Sequence, residues 1–221
     1  DPIGQPQQDV MGPGVGNSLV ADHDTGLLYV AERQSNTVHR YHYPTQTKTE
    51  LQTASRANWI IASRPDQAPP RLILADGDHG QWLAEISADP TAPVAERSVP
   101  LNNILATGIT VAEEAGHLFV SGPWTLDRYD LTTFEHKRRV RTTAGSSAPV
   151  YIPQHDLVIV ASELEGTIRV YDAENLTLVQ IVDVGLGATA PFMTQSGHLI
   201  ASNGNATFSW PLHNFLTRDD T

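Results

Sequence analysis

The sequence predicts an all-β fold: a five-bladed β-propeller of four-stranded antiparallel blades, with the ring closed by the N-terminal strand. Three observations lead there. A strand-like hexapeptide recurs as GLLYVA at 26, PRLILA at 70, GHLFVS at 116, DLVIVA at 156 and GHLIAS at 197. The copies begin 44, 46, 40 and 41 residues apart, the spacing of four-stranded blades. Further strand-like segments flank the copies in a constant order.

Taken in that order, each unit starts with an inner strand A, for example SLVAD at 18 or GITVAE at 108. The hexapeptide follows as strand B, with Leu or Val third and a small residue sixth, the pattern of a strand covered on both faces. Strand C comes next, as in TVHRYH at 37, TLDRYD at 125 and TIRVYD at 167. The last segments, TKTELQT, PVAERSVP, EHKRRVRT and LVQIVDVG, are mostly more polar and suit an outer strand D. Turns rich in Gly, Asp and Asn separate the strands. The predicted blades span about 17–53, 57–100, 106–142, 147–184 and 189–212, in one domain covering 1–221. The fifth unit lacks its own strand D. QQDV at 7 resembles QIVDV at 180, so residues 5–10 are expected to supply it and leave no open sheet edge.

Composition narrows the function. There is no cysteine, so disulfides and thiolate chemistry are excluded. A formal charge of −11 opposes nucleic acid and anionic membranes, and no apolar run is long enough for a spanning helix. The polar segment PIGQPQQ after Asp1 has the character of an end left by signal-peptide removal, though trimming produces the same end.

The stretches LYVAxxxSNTVxxY from 28 and VIVASELEGTIRVYDAENLTLVQIVDVG from 158 resemble YVTN-type β-propeller repeats. The likeness covers almost the whole chain and is strongest in units one, three and four. It implies a periplasmic or secreted protein. Propellers of that family serve as binding proteins, lactonase-like hydrolases and subunits of redox complexes, and more often have six or seven units, which leaves room here for a companion subunit.

The loops between strands B and C, with those between D and A, lie on one face of such a fold and converge on its channel. They carry Glu32 and Arg33, then Asp76, Asp78 and His79 in DGDHG, Trp124, Glu163, and Asn203. Arg33, Asp76, His79, Trp124 and Glu163 are the expected ligand-binding residues. Glu32, Asp76, Glu163 and Asn203, one at each of four blade entrances, form the alternative set, resembling the ligands of Ca²⁺ or another divalent cation in gluconolactonase-like propellers. DGDHG also reads as an ordinary tight turn. His23, His117, His155 and His198 fall near A–B turns on the opposite face, where solvated turn residues are expected. No GxSxG elbow is present. The inner-strand entrances, Asn17, Asn58, Thr107, Ala148 and Ala190, carry none of the paired acids of a glycosidase.

These readings converge on an exported, noncatalytic, cofactor-free propeller that binds a partner protein or small molecule through its loop face. A metal-dependent lactonase-like hydrolase and a subunit of a periplasmic redox complex are the alternatives.

Overall fold

The computed structural model describes residues 16–22, 25–32, 35–53, 56–63, 71–76, 82–88, 97–101, 105–194 and 196–212. They fall in two compact units, Asp1–Pro100 and Leu101–Thr221. The first unit holds two sheets. One is β1 (Gly16–Asp22), β2 (Leu27–Glu32), β3 (Thr37–His42) and β4 (Thr47–Gln52); the other is β5 (Trp59–Ser63), β6 (Arg71–Ala75), β7 (Trp82–Ser87) and β8 (Arg97–Pro100).

The second unit holds three. The third blade is β9 (Gly108–Ala112), β10 (His117–Gly122), β11 (Thr125–Asp130) and β12 (His136–Arg141). The fourth is β13 (Val150–Ile152), β14 (Leu157–Ser162), β15 (Thr167–Asp172) and β16 (Leu178–Asp183). The fifth is β17 (Phe192–Met193), β18 (His198–Ser202) and β19 (Thr207–Pro211). Every sheet is an antiparallel meander, so the predicted order A, B, C, D is the observed one. The expected closure by residues 5–10 lies outside the described residues.

The repeated hexapeptide is strand B in all five sheets, and its letters have local causes. Its first residue has positive φ wherever it is described: Gly26 at 66°, Gly116 at 68°, Asp156 at 50° and Gly197 at 77°. The A–B turn needs a left-handed residue there, which Gly supplies without strain and Asp tolerates. The third residue, Leu72, Leu118, Val158 or Leu199, is fully buried, and so are the sixth residues Ala31, Ala75, Ser121 and Ala161.

In blade four strand B is covered on both faces, because that blade packs against blade three on one side and blade five on the other. On β14, Val158 and Val160 join Phe119, Leu126 and Tyr171 between blades three and four. The intervening Ile159 and Ala161 join Ile168, Val170 and Leu199 between blades four and five. In the first unit Tyr29, Val38, Leu72 and Leu74 fill the equivalent space, and the Ser18 hydroxyl donates to the Ile60 carbonyl across it. Full burial of each such aliphatic side chain stabilises the fold by roughly 1.5–3 kcal/mol. The outer strands β4, β8, β12 and β16 are largely exposed, as their polar composition predicts for the first three.

Candidate binding face

In the second unit the B–C turns and D–A loops are joined edge to edge by hydrogen bonds. Blade three contributes the turn 122–124, where the Trp124 carbonyl accepts from Thr142 N–H at 2.9 Å and the Pro123 carbonyl from Gly145 N–H at 3.0 Å. The loop 142–147 then meets the turn of blade four: the Ser162 hydroxyl donates to the Ala144 carbonyl at 2.8 Å, and Glu163 N–H to the Gly145 carbonyl at 3.1 Å. From there Gly187 N–H donates to the Glu163 carbonyl at 2.8 Å, and the Asn203 side-chain amide to the Val184 carbonyl at 2.7 Å. Five segments from three blades thus form one continuous belt.

Glycine permits the tightest point. At Gly166, with φ of 70°, a Cβ would lie 2.3 Å from the Gly185 carbonyl carbon and 2.5 Å from Leu186 N, so any side chain would separate the two loops. The belt therefore holds its side chains on a backbone with little freedom. Trp124, Leu164 and Leu186 are 54%, 64% and 71% exposed. The belt segments 122–124, 142–147, 162–166, 184–189 and 203–206 contain no Lys, Arg or His. Their charges are Glu163, which is exposed, and Glu165, which lies 3.3 Å from Arg169. A cavity of about 220 Å³, lined by Ser202, Gly204, Asn205, Ala206 and Thr207, marks the blade-five end.

Trp124, Glu163 and Asn203, all singled out by sequence, therefore sit on this belt. The structure also adds Leu164 and Leu186. Only their place in B–C and D–A loops could have signalled them, since an isolated Leu in a loop carries no motif. Arg33, Asp78 and His79 lie outside the described residues. Asp76 is buried at the start of its loop, where its N–H donates to the Trp82 carbonyl at 3.1 Å.

The alternative metal set meets competition for its oxygens. Glu32 Oε2 accepts from the Ser35 hydroxyl at 2.6 Å and lies 3.3 Å from His39 Nε2; the Ser35 bond comes first in holding this carboxyl below its ordinary value. Asn203 Oδ1 accepts from Asn205 and Ala206 N–H at 3.1 and 2.9 Å, closing its own turn. Both residues work locally as caps. Among the described residues, no three His, Asp or Glu side chains gather into a metal-binding group.

On the A–B side, the expectation of solvated turn histidines fails at His117. Glu174, on the C–D turn of blade four, reaches across to blade three, with Oε2 at 2.8 Å from Arg128 NH1 and 2.7 Å from His117 Nε2. Arg128 first, and His117 after it, hold the Glu174 carboxyl below its ordinary value. His117 also meets Phe119 edge-on, and Phe119 stacks on Tyr151. Burial, with a 3.0 Å bond to Asp156 Oδ1, pushes the Tyr151 hydroxyl up to about 12. This side is pinned by charge and ring contacts, whereas the belt presents unpaired apolar groups.

No protein-family model and no curated protein sequence matches the chain. Solved structures do. The structure of U3-55K is similar over 91% of this chain with a TM-score of 0.74 at 10% identity, and the WD40 repeats of RRP9 over 90% with a TM-score of 0.72 at 10% identity. Raptor from Chaetomium thermophilum is similar over 94%, with a TM-score of 0.75 at 12% identity. The fold is that of a β-propeller. The chain spans 62% of the U3-55K chain, 61% of the RRP9 chain and 20% of the Raptor chain. Identities this low carry the architecture, all-β with five blades, and assign no activity.

Proposed function

We propose that this propeller is a noncatalytic binding module that holds a partner protein on the loop face of blades three to five. The observation that carries the reading is the hydrogen-bonded belt presenting Trp124, Leu164 and Leu186 to solvent. Exposed aromatic and aliphatic groups on a fixed backbone can bury apolar area at a small ordering cost. A partner protein is favoured over a small molecule. The cavity beside the belt, about 220 Å³, falls below the size of ordinary ligand pockets and is lined mainly by small polar residues. The WD40-like neighbours are consistent with an interaction module.

The YVTN-like repeats support export to the periplasm or outside the cell, with a companion subunit as one form of partner. The lactonase-type reading receives less support, because Glu32 and Asn203 already use their oxygens within their own turns. For the redox-complex reading, no residue of the belt adds support.

The test places a photoreactive amino acid at Leu186 and, as a control on the A–B side, at His155, in cells that make the protein naturally. The reading expects one discrete crosslinked protein from position 186, abolished by Leu164→Asp, and none from position 155. Equal crosslinking from the two positions would overturn it.

A further inference from the structure

Glu163 stands in the middle of the belt, and its backbone is tied on both sides. Its N–H donates to the Gly145 carbonyl at 3.1 Å, and its own carbonyl accepts from Gly187 N–H at 2.8 Å. The blade-three loop also runs close beneath it. A Cβ added at Gly145 would lie 3.2 Å from Leu164 Cγ and 3.5 Å from Glu163 Cβ. Along the belt, Trp124 precedes this point and Leu186 follows it.

The polar side chains around Glu163 are already engaged. The Thr142 and Ser146 hydroxyls lie 2.6 Å apart, and the Ser162 hydroxyl donates to the Ala144 carbonyl. Asn203 donates to the Val184 carbonyl and accepts within its own turn, and Glu165 lies 3.3 Å from Arg169. The Glu163 side chain is exposed, and among the described residues its carboxylate meets no cation and no hydrogen-bond donor. One unanswered acid thus sits among the apolar groups of the belt.

Resting on the reading of the belt as the partner surface, we propose that Glu163 sets which partner is accepted: a protein segment that places a Lys or Arg among its apolar anchors. An apolar partner that covered Glu163 with no cation would strip water from a carboxylate and leave it unpaired, which is costly. A partner with an acid at that place would be repelled. The same residue therefore rewards one class of segment and rejects two others. The formal charge of −11 on the chain draws a basic segment in and opposes nucleic acid.

The experiment selects a displayed library of random peptides in parallel on four immobilised proteins. These are the unaltered chain, Glu163→Gln, Glu163→Lys and, as an equal charge change at an exposed A–B turn, Glu114→Lys. Recovered peptides are first sorted by whether they lose binding to a Leu164→Ser, Leu186→Ser double variant, which adds no charge. Among those that do, Lys and Arg should be enriched on the unaltered chain and on Glu114→Lys, and should not be on Glu163→Gln. On Glu163→Lys, Asp and Glu should take their place. Peptides from the unaltered chain should bind Glu163→Gln at least about fivefold more weakly, and added salt should narrow that gap. Belt-dependent peptides with the same Lys and Arg content on Glu163→Gln as on the unaltered chain would overturn the proposal and leave the belt as the partner surface. Peptides indifferent to Leu164 and Leu186 would overturn the belt reading, and this proposal with it.

Discussion

Blades three and four share a backbone and differ in what their outer strands show to solvent. β12 and β16 pair with their neighbours in the same register, each with one bulge, at Lys137 and at Val179. The difference begins one strand inward. At the third place of strand C, blade three has Asp127, fully buried, and Arg139 Nε and His136 Nε2 each lie 2.7 Å from its Oδ1. Blade four has Arg169 there, which turns along its own hairpin to Glu165 at 3.3 Å and leaves Ile181 opposite it unengaged by charge. A buried carboxylate requires cations on the outer strand, whereas an arginine answered within its hairpin does not. Blade one places His39 at the same position, 3.3 Å from Glu32 and 3.5 Å from Glu50 on β4.

The largest effect should come from the buried acid. Asp127→Ala removes the group that Arg139 and His136 both answer, and is expected to cost about 2–3 kcal/mol in denaturant unfolding. Arg139→Ala should cost less, because His136 remains at the carboxylate. If Asp127→Ala were neutral, charge would not be what separates the two blades.

A transplant sharpens the comparison. Arg169→Asp should destabilise blade four, and adding Ile181→Arg, placed directly across the strand, should recover about 1 kcal/mol by rebuilding the blade-three arrangement. A double variant no better than the single would mean that register alone does not define the pair.

A smaller effect tests the pin between the two blades. The Glu174 carboxyl is held below its ordinary value of 4.5, so its contribution is present above that value and lost as pH falls through the lower folded value. The group is well exposed, so the contribution should stay under about 1 kcal/mol. Glu174→Gln should remove that part of the acid-side slope in a pH series of melting temperatures. Least of all should chelation matter: with Glu32 and Asn203 serving as local caps, EDTA is expected to leave the melting temperature unchanged, and elemental analysis to find no stoichiometric calcium.

The strands were legible in the sequence because antiparallel meanders are local: each pairs segments a few residues apart, and the hexapeptide repeats its turn glycine and its small buried residue. The outer-strand chemistry was half legible, since EHKRRVRT announces charge but not the buried Asp127 that collects it. His117 was misread because its partner, Glu174, stands 57 residues away on the next blade, a separation that no local pattern encodes. Trp124, Glu163 and Asn203 could be placed by loop position alone. What each does could not, since Asn203 has the composition of a metal ligand and the geometry of a turn cap.

The central claim is that the working surface is the unpinned belt and not the pinned side behind it. The most direct measurement selects a displayed library of random twelve-residue peptides on the immobilised protein and re-measures each recovered peptide against the Leu164→Asp, Leu186→Asp double variant. With acidic Glu163 and Glu165 and no basic residue on the belt, recovered peptides should combine aliphatic or aromatic anchors with Lys or Arg, and should lose at least about tenfold in affinity for the variant. Peptides that bind the variant as tightly as the unaltered protein would contradict the account.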